Sequence, residues 1–127
     1  MKDKKLLTIA CETMKSGIYS EIGLISPTFC HGYIGVSYIY KKFYESTKID
    51  VFDYEAKRLM QKTLYFYGKN LPFGFPNLEY NINDYSQKEM KMVNTIGILD
   101  GIIGILFPLL SMLGNKQTNW DAVFLLD

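Results

Sequence analysis

The residues with the clearest chemical potential are the adjacent Cys30 and His31, which Gly32 follows. A thiolate and a neutral imidazole are both ligands that zinc prefers, and the start of a helix favours the thiolate form of a cysteine. Gly32 has no side chain, so a ligand can approach the backbone there. Three interpretations are open: two metal ligands, a thiol nucleophile with its base, or a buried thiol beside a hydrogen-bonded histidine. Adjacent residues at a helix start rarely face each other, which makes the nucleophile and base pair the weakest of the three.

Few other residues could complete a metal site. Two cysteines and one histidine are present, so this chain alone cannot form a closed zinc site with four nitrogen or sulfur ligands. Cys11 lies midway along a predicted amphipathic helix, and we predict that it is a core or boundary thiol rather than a ligand. Asp100 interrupts an apolar segment. We expect it to hydrogen-bond a neighbouring helix end, with a catalytic role as the alternative.

The composition is that of one globular domain, residues 1–127, with 48% hydrophobic and 21% charged residues. Basic and acidic residues number 14 and 13, a net charge of +1. This balance excludes the basic surface that nucleic-acid binding requires. Nothing resembles a secretory signal and the cysteines do not form a disulfide scaffold, so we expect a cytoplasmic protein.

Hydrophobic spacing predicts four helices, over residues 4–18, 30–45, 50–67 and 95–113. The first and third are amphipathic, and the second and fourth are apolar on most faces. Amphipathic helices cover a core, whereas apolar helices lie inside it. The alternation therefore predicts an all-α fold, a partial α/α toroid with outer and inner helices.

Two segments leave alternatives open. Residues 95–113 are apolar enough to suggest a transmembrane span, but Asp100 and Pro108 favour a buried helix, so we predict no transmembrane segment. Residues 68–94 carry prolines, glycines and asparagines and are predicted to be irregular. A connection of this length is usually functional or disordered, or it contains a short element.

The two apolar helices resemble each other at their starts. The sequence HGYIG begins at His31, and DGIIG begins at Asp100, 69 residues later. This similarity predicts an internal repeat of helical hairpins.

These motifs make the chain resemble a known family. The segments Phe29–Gly35 (FCHGYIG) and Leu99–Gly104 (LDGIIG), with Trp120-Asp121 near the C-terminus, resemble the C-terminal part of the lanthipeptide cyclases over essentially the whole chain. These zinc enzymes close thioether rings in lantibiotics. The resemblance implies an α/α toroid, with Cys30 and His31 as two of three protein zinc ligands and the substrate cysteine in the fourth position.

The resemblance also implies partners: a precursor peptide and a dehydratase, with membrane association through their complex as an alternative to a free cytoplasmic location. In the family the third zinc ligand and the acid and base residues lie upstream of anything in this chain. We therefore expect a C-terminal portion that is inactive alone and pairs with an upstream cyclase half or forms a homo-oligomer. The alternative is a non-catalytic, all-helical interaction module.

Overall fold

Helices dominate the computed structural model, which describes residues 3–81, 89–114 and 119–124. The elements in chain order are α1 (Lys4–Ser16), α2 (Tyr33–Thr47), α3 (Asp50–Leu64), β1 (Asn77–Tyr80), β2 (Met90–Val93), α4 (Ile102–Leu113) and a 3₁₀ helix (Trp120–Phe124). The all-α prediction is confirmed, with one small exception. The connection predicted to be irregular contains an antiparallel hairpin, in which β1 pairs with β2 and Asn77 lies opposite Val93.

α2 is the central helix, as its apolar sequence predicts. On one side it packs with α1 and α3 around the buried side chains of Tyr40, Phe52 and Leu59. On the other side Ile34 packs with Ile105 and with other side chains of α4 and the preceding loop. Complete burial of an aliphatic or aromatic side chain stabilises a fold by about 1.5–3 kcal/mol, so these two clusters fix α2 between its neighbours.

The fourth helix is less buried than its sequence predicts. Its Ile105 and Leu109 face α2, but Leu110 and Leu113 on another side are 65% and 68% exposed. In α1, likewise, Leu6 belongs to the predicted apolar stripe and is 53% exposed. Among the described residues, no helix has both the length and the apolar character needed to cross a membrane. The arrangement of these helices as a partial α/α toroid stays a prediction.

The predicted starts of the second and fourth helices are too early, because a loop precedes each of them. α2 begins at Tyr33 rather than residue 30, and α4 begins at Ile102 rather than residue 95. The backbone N–H of Tyr33 donates to the Ser26 carbonyl at 2.9 Å, and that of Ile102 donates to the Thr95 carbonyl at 3.1 Å. Each loop therefore folds over the first turn of the helix that follows it.

The N-cap residues are Ile49 for α3 and Gly101 for α4, and neither forms a side-chain capping hydrogen bond. Asp50 lies in the first turn of α3, where its charge still complements the helix dipole.

Candidate metal centre

Two glycines allow the loop that carries Cys30 to lie against α2. A Cβ atom on Gly32 would lie 2.2 Å from the carbonyl oxygen of Ser26, and one on Gly35 would lie 1.9 Å from that of Phe29. Backbone atoms cannot approach a side chain so closely, so both positions require glycine for this packing. The GxxG spacing places these two contacts on the first turn of the helix.

The loop before α4 repeats this arrangement. A Cβ atom on Gly101 would lie 2.4 Å from the backbone nitrogen of Gly97, and one on Gly104 would lie 1.8 Å from the carbonyl oxygen of Ile98. In both loops the first helical residue donates its N–H to the carbonyl seven positions earlier. The repeat predicted from the sequence thus has the same contacts in its two copies.

A backbone hydrogen bond joins the two loops at equivalent positions. The N–H of Cys30 donates to the carbonyl oxygen of Leu99 at 2.9 Å. As a result the side chains of Cys30, His31 and Asp100 meet, with their ligand atoms all within 4.8 Å of one another. The closest approach recorded between the histidine and the carboxylate is 3.5 Å, from Nδ1 of His31 to Oδ1 of Asp100.

The donor set suits zinc. Thiolate, imidazole and carboxylate are its ordinary protein ligands, and bond lengths of about 2.0–2.3 Å place tetrahedral donors about 3.3–3.8 Å apart. The side chains of His31 and Asp100 are 39% and 50% exposed, and Cys30 is also exposed. Rotation of these exposed side chains can bring the three donors to metal-binding distances. The exposed side of the cluster leaves access for a further ligand from solvent or from a peptide.

The second cysteine lies elsewhere. Cys11 is only 9% exposed and belongs to the core cluster with Tyr40 and Phe52. Its prediction as a core or boundary thiol is confirmed. Within the part of the chain that the structure describes, the Asp100 carboxylate faces His31 rather than the helix end that was predicted from the sequence.

The C-terminal 3₁₀ helix supports the loop from one side. The ring of Phe29, immediately before Cys30, lies 5.5 Å from the Trp120 ring and 5.1 Å from the Phe124 ring, centroid to centroid. Such aromatic contacts stabilise by about 0.5–1.5 kcal/mol each. The indole Nε1 of Trp120 donates to Oγ of Ser111 in α4 at 2.8 Å. Trp120 therefore connects the Cys30 loop to the helix that follows Asp100.

Asp121 fixes the same 3₁₀ helix to α2. Its buried carboxylate accepts a hydrogen bond from the hydroxyl of Tyr38 at 2.8 Å and pairs with Nζ of Lys42 at 2.9 Å. Burial acts to raise the pKa of Asp121, but the bonds from Lys42 and Tyr38 together lower it below the ordinary value. Burial and the neighbouring carboxylate raise the pKa of Tyr38. The sequence motif Trp-Asp thus has a physical role, which is to attach the 3₁₀ helix to α4 and α2.

A charged network connects α3 to the segment between α1 and α2. Arg58 lies between two carboxylates, at 2.6 Å from Oε1 of Glu21 and 2.8 Å from Oε1 of the fully buried Glu55. The guanidinium of Arg58 is the main cause that lowers the pKa of Glu21 to about 2. Glu21 also accepts a hydrogen bond from the Tyr33 hydroxyl at 3.0 Å, and Glu55 accepts one from the backbone N–H of Tyr19.

Hydrophobic spacing did not indicate this network, because charged residues outside the apolar stripe of an amphipathic helix usually face solvent. The available signal was the arrangement of Glu55 and Arg58, three residues apart on one helix, where such pairs meet. Glu21, in a distant loop, could not be connected to them from spacing. The Tyr33 ring, whose hydroxyl donates to this network, is buried in the core.

Comparison with known proteins identifies the family. The family model described as Lanthionine synthetase C-like protein matches residues 1–125, nearly the whole chain. A search of curated proteins finds no significant match. The match agrees with the resemblance carried by the Cys-His-Gly motif and the repeated glycines, which the structure brings together at one site. The chain therefore belongs to the lanthionine synthetase C-like protein family.

Proposed function

We propose that this chain contributes Cys30 and His31 as two zinc ligands to a site that forms lanthionine or methyllanthionine rings in a precursor peptide. In this reaction a cysteine sulfur of the peptide bonds to the β-carbon of a dehydrated serine or threonine. The carbon–carbon double bond is lost, and a general acid supplies a proton to the α-carbon. The observation that carries the proposal is the convergence of the Cys30, His31 and Asp100 ligand atoms within 4.8 Å on the two repeated loops.

Four residues of the chain have a part in this proposal. Cys30 and His31 would hold the metal, and their exposed position leaves room for a peptide thiol beside them. When bound, zinc lowers the pKa of a thiol and so supplies a nucleophile at neutral pH. Gly32 and Gly35 let the loop lie against α2, so that the two ligands sit on a backbone fixed by hydrogen bonds.

In this proposal the third zinc ligand and the general acid come from another segment. The chain has no second histidine to act as the acid, and Cys11 is buried in the core away from the cluster. By family resemblance the third ligand, a cysteine, and the acid come from an upstream half. The exposed leucines of α4 support such pairing, since the helix that begins beside the site leaves an apolar side uncovered. We propose that the chain alone does not close rings, and that its partners are that half, the peptide and a dehydratase in the cytoplasm.

Cobalt binding tests the metal site directly. Co²⁺ replaces zinc in thiolate sites and gives a sulfur-to-metal charge-transfer absorption, so it reports cysteine ligation. We expect the full chain to show this absorption, and Cys30→Ala to abolish it. His31→Ala should weaken binding, and Cys11→Ala, which removes the other thiol, should retain the signal. Equal loss in both cysteine variants, or no absorption in any of them, would contradict the assignment.

Ring closure needs a separate assay. Addition of a thiol to a double bond leaves the peptide mass unchanged, so the reaction is followed by the loss of thiols that react with an alkylating reagent. The chain is mixed with the N-terminal part of a related cyclase and a dehydrated peptide that contains cysteine. Closure that depends on both parts and on Cys30 supports the proposal, whereas a mixture that neither retains zinc by elemental analysis nor closes rings contradicts it.

The exposed apolar side chains also favour a second function, that of a helical interaction module without catalysis. Leu6 and Leu7 of α1 are 53% and 37% exposed, and Leu110 of α4 is 65% exposed. Sizing chromatography with and without zinc distinguishes the two functions. A homo-oligomer indifferent to zinc supports the module, whereas assembly with a cyclase half that depends on zinc supports the peptide cyclase.

A further inference from the structure

Asp100 holds, in the second loop, the position that His31 holds in the first. The two positions lie 69 residues apart in the repeat, and the hydrogen bond from Cys30 N–H to the Leu99 carbonyl brings them side by side. Nδ1 of His31 then faces Oδ1 of Asp100 at 3.5 Å. The contact therefore follows from the way the repeats adjoin rather than from a chance approach of surface side chains.

Backbone contacts fix the position of the Asp100 main chain, from which its side chain extends. The hydroxyl of Thr95 donates to the Asp100 carbonyl at 2.8 Å, and the Thr95 carbonyl accepts from Ile102 at 3.1 Å. Gly101 lies so close to the Gly97 backbone that no side chain fits there. Asp100 is thus the last residue of a tightly bonded turn, and only its side chain is free to rotate.

We propose that Asp100 is a positioning residue for His31. Its carboxylate accepts the Nδ1–H proton and so leaves the Nε2 lone pair for the metal. A histidine that ligates a metal usually donates its other ring N–H to a carboxylate or carbonyl, which selects the tautomer and orients the ring. This inference rests on the proposed role of His31 as a ligand.

The observed separation of 3.5 Å is slightly longer than a hydrogen bond of this kind, which spans about 2.7–3.2 Å. Both side chains are exposed enough to rotate by the small amount required. Direct ligation by Asp100 is the competing role, because oxygen and nitrogen ligands of one zinc ion are also about 3.3 Å apart. The experiment below separates the two.

The tautomer of His31 is directly measurable because His31 is the only histidine in the chain. In the metal-free full chain at pH 9, nitrogen NMR should show the Nδ1–H tautomer as the major form. Asp100→Ala should return the ring toward the Nε2–H form that histidine prefers in water. Asp100→Asn keeps an acceptor oxygen and should retain Nδ1–H. Asp50→Ala removes an exposed carboxylate of α3 and serves as the control.

Cobalt titration of the same variants completes the test. Asp100→Ala should weaken cobalt binding by about 10- to 100-fold, the range found when such supporting partners are removed, while Asp100→Asn should weaken it less. An unchanged tautomer in Asp100→Ala overturns the proposal. The proposal is also overturned if Asp100→Asn retains the Nδ1–H tautomer but loses as much cobalt affinity as Asp100→Ala. That result would make Asp100 a metal ligand. If the tautomer shifts as expected but no variant or parent binds metal, the positioning contact stands and the proposed function fails.

Discussion

Replacing Gly35 by alanine tests whether close packing on α2 holds the Cys30 loop in place. The new Cβ would lie 1.9 Å from the carbonyl oxygen of Phe29, which belongs to the backbone and cannot rotate away. Ordinary contacts begin near 3.4 Å, so this carbonyl has to move by about 1.5 Å. Because Phe29 directly precedes Cys30, the move also displaces the proposed metal ligand.

The expected loss of stability follows from the contacts that this move disturbs. The N–H of Cys30 donates to Leu99 in the second loop and the N–H of Tyr33 donates to Ser26, both at 2.9 Å, each with a net contribution of about 1 kcal/mol. The Phe29 ring loses part of its packing against the 3₁₀ helix, a further loss of about 1 kcal/mol. Alanine gains about 1 kcal/mol over glycine inside a helix. The free energy of unfolding should therefore fall by about 2 kcal/mol, opposite in sign to the ordinary effect of glycine to alanine.

Urea denaturation measures this change. With a urea dependence of about 1–3 kcal/mol per molar for a small domain, the midpoint should fall by about 1 M, and cobalt binding should weaken with it. Gly97→Ala is the matched control, because a Cβ atom there meets no atom within 4 Å. A Gly35→Ala chain as stable as the parent, or a Gly97→Ala chain equally destabilised, would refute the reasoning.

Three further predictions concern the supports and the thiols. Glu21→Gln should lower the free energy of unfolding by about 1–2 kcal/mol at pH 7. Since the pKa of Glu21 is about 2 in the folded chain against an ordinary 4.5, this difference should be complete above pH 4.5 and vanish as the pH falls toward 2. A pH-independent difference in urea denaturation would contradict this. Tyr38→Phe removes a hydrogen bond to the buried Asp121 and should cost about 1–2 kcal/mol in the same assay, so an unchanged midpoint would count against that contact. In the native chain a thiol reagent should label the exposed Cys30 quickly and the buried Cys11 only after unfolding, and zinc should slow the first reaction; equal labelling rates would contradict the assignment.

Several elements could be predicted from local sequence because local physics decides them. The uncharged segment of residues 33–40 had to be buried, and α2 lies at the centre of the fold. The amphipathic pattern of α3 was sufficient to predict a helix that begins at residue 50. The helix starts at residues 30 and 95 were wrong because apolar residues in a loop that packs on a helix look like part of that helix. Hydrophobic periodicity indicates which residues are buried, but it does not show the backbone hydrogen bonds that distinguish a helix from a packed loop.

The charged network of Glu21, Glu55 and Arg58 could not be predicted from local sequence patterns. Glu55 is fully buried because Arg58 and the backbone of Tyr19 satisfy its carboxylate. The contact with Tyr19, 36 residues away, cannot be predicted from the segment that contains Glu55. Burying a carboxylate without such bonds would be costly. A sequence pattern that assigns charges to solvent is therefore correct on average and wrong where a distant arginine or backbone amide compensates.

The sequence by itself determined which donor side chains are adjacent, Cys30 and His31, and the same glycine spacing after His31 and after Asp100; their role as zinc ligands is a proposal. Only the tertiary structure decided that Asp100 joins them. Residue spacing fixes which side chains share a turn, because a turn is a local structure with a fixed rise. Contact between two turns 69 residues apart depends on how α2 packs against α4 and on the bond from Cys30 to Leu99, and both are properties of the folded chain.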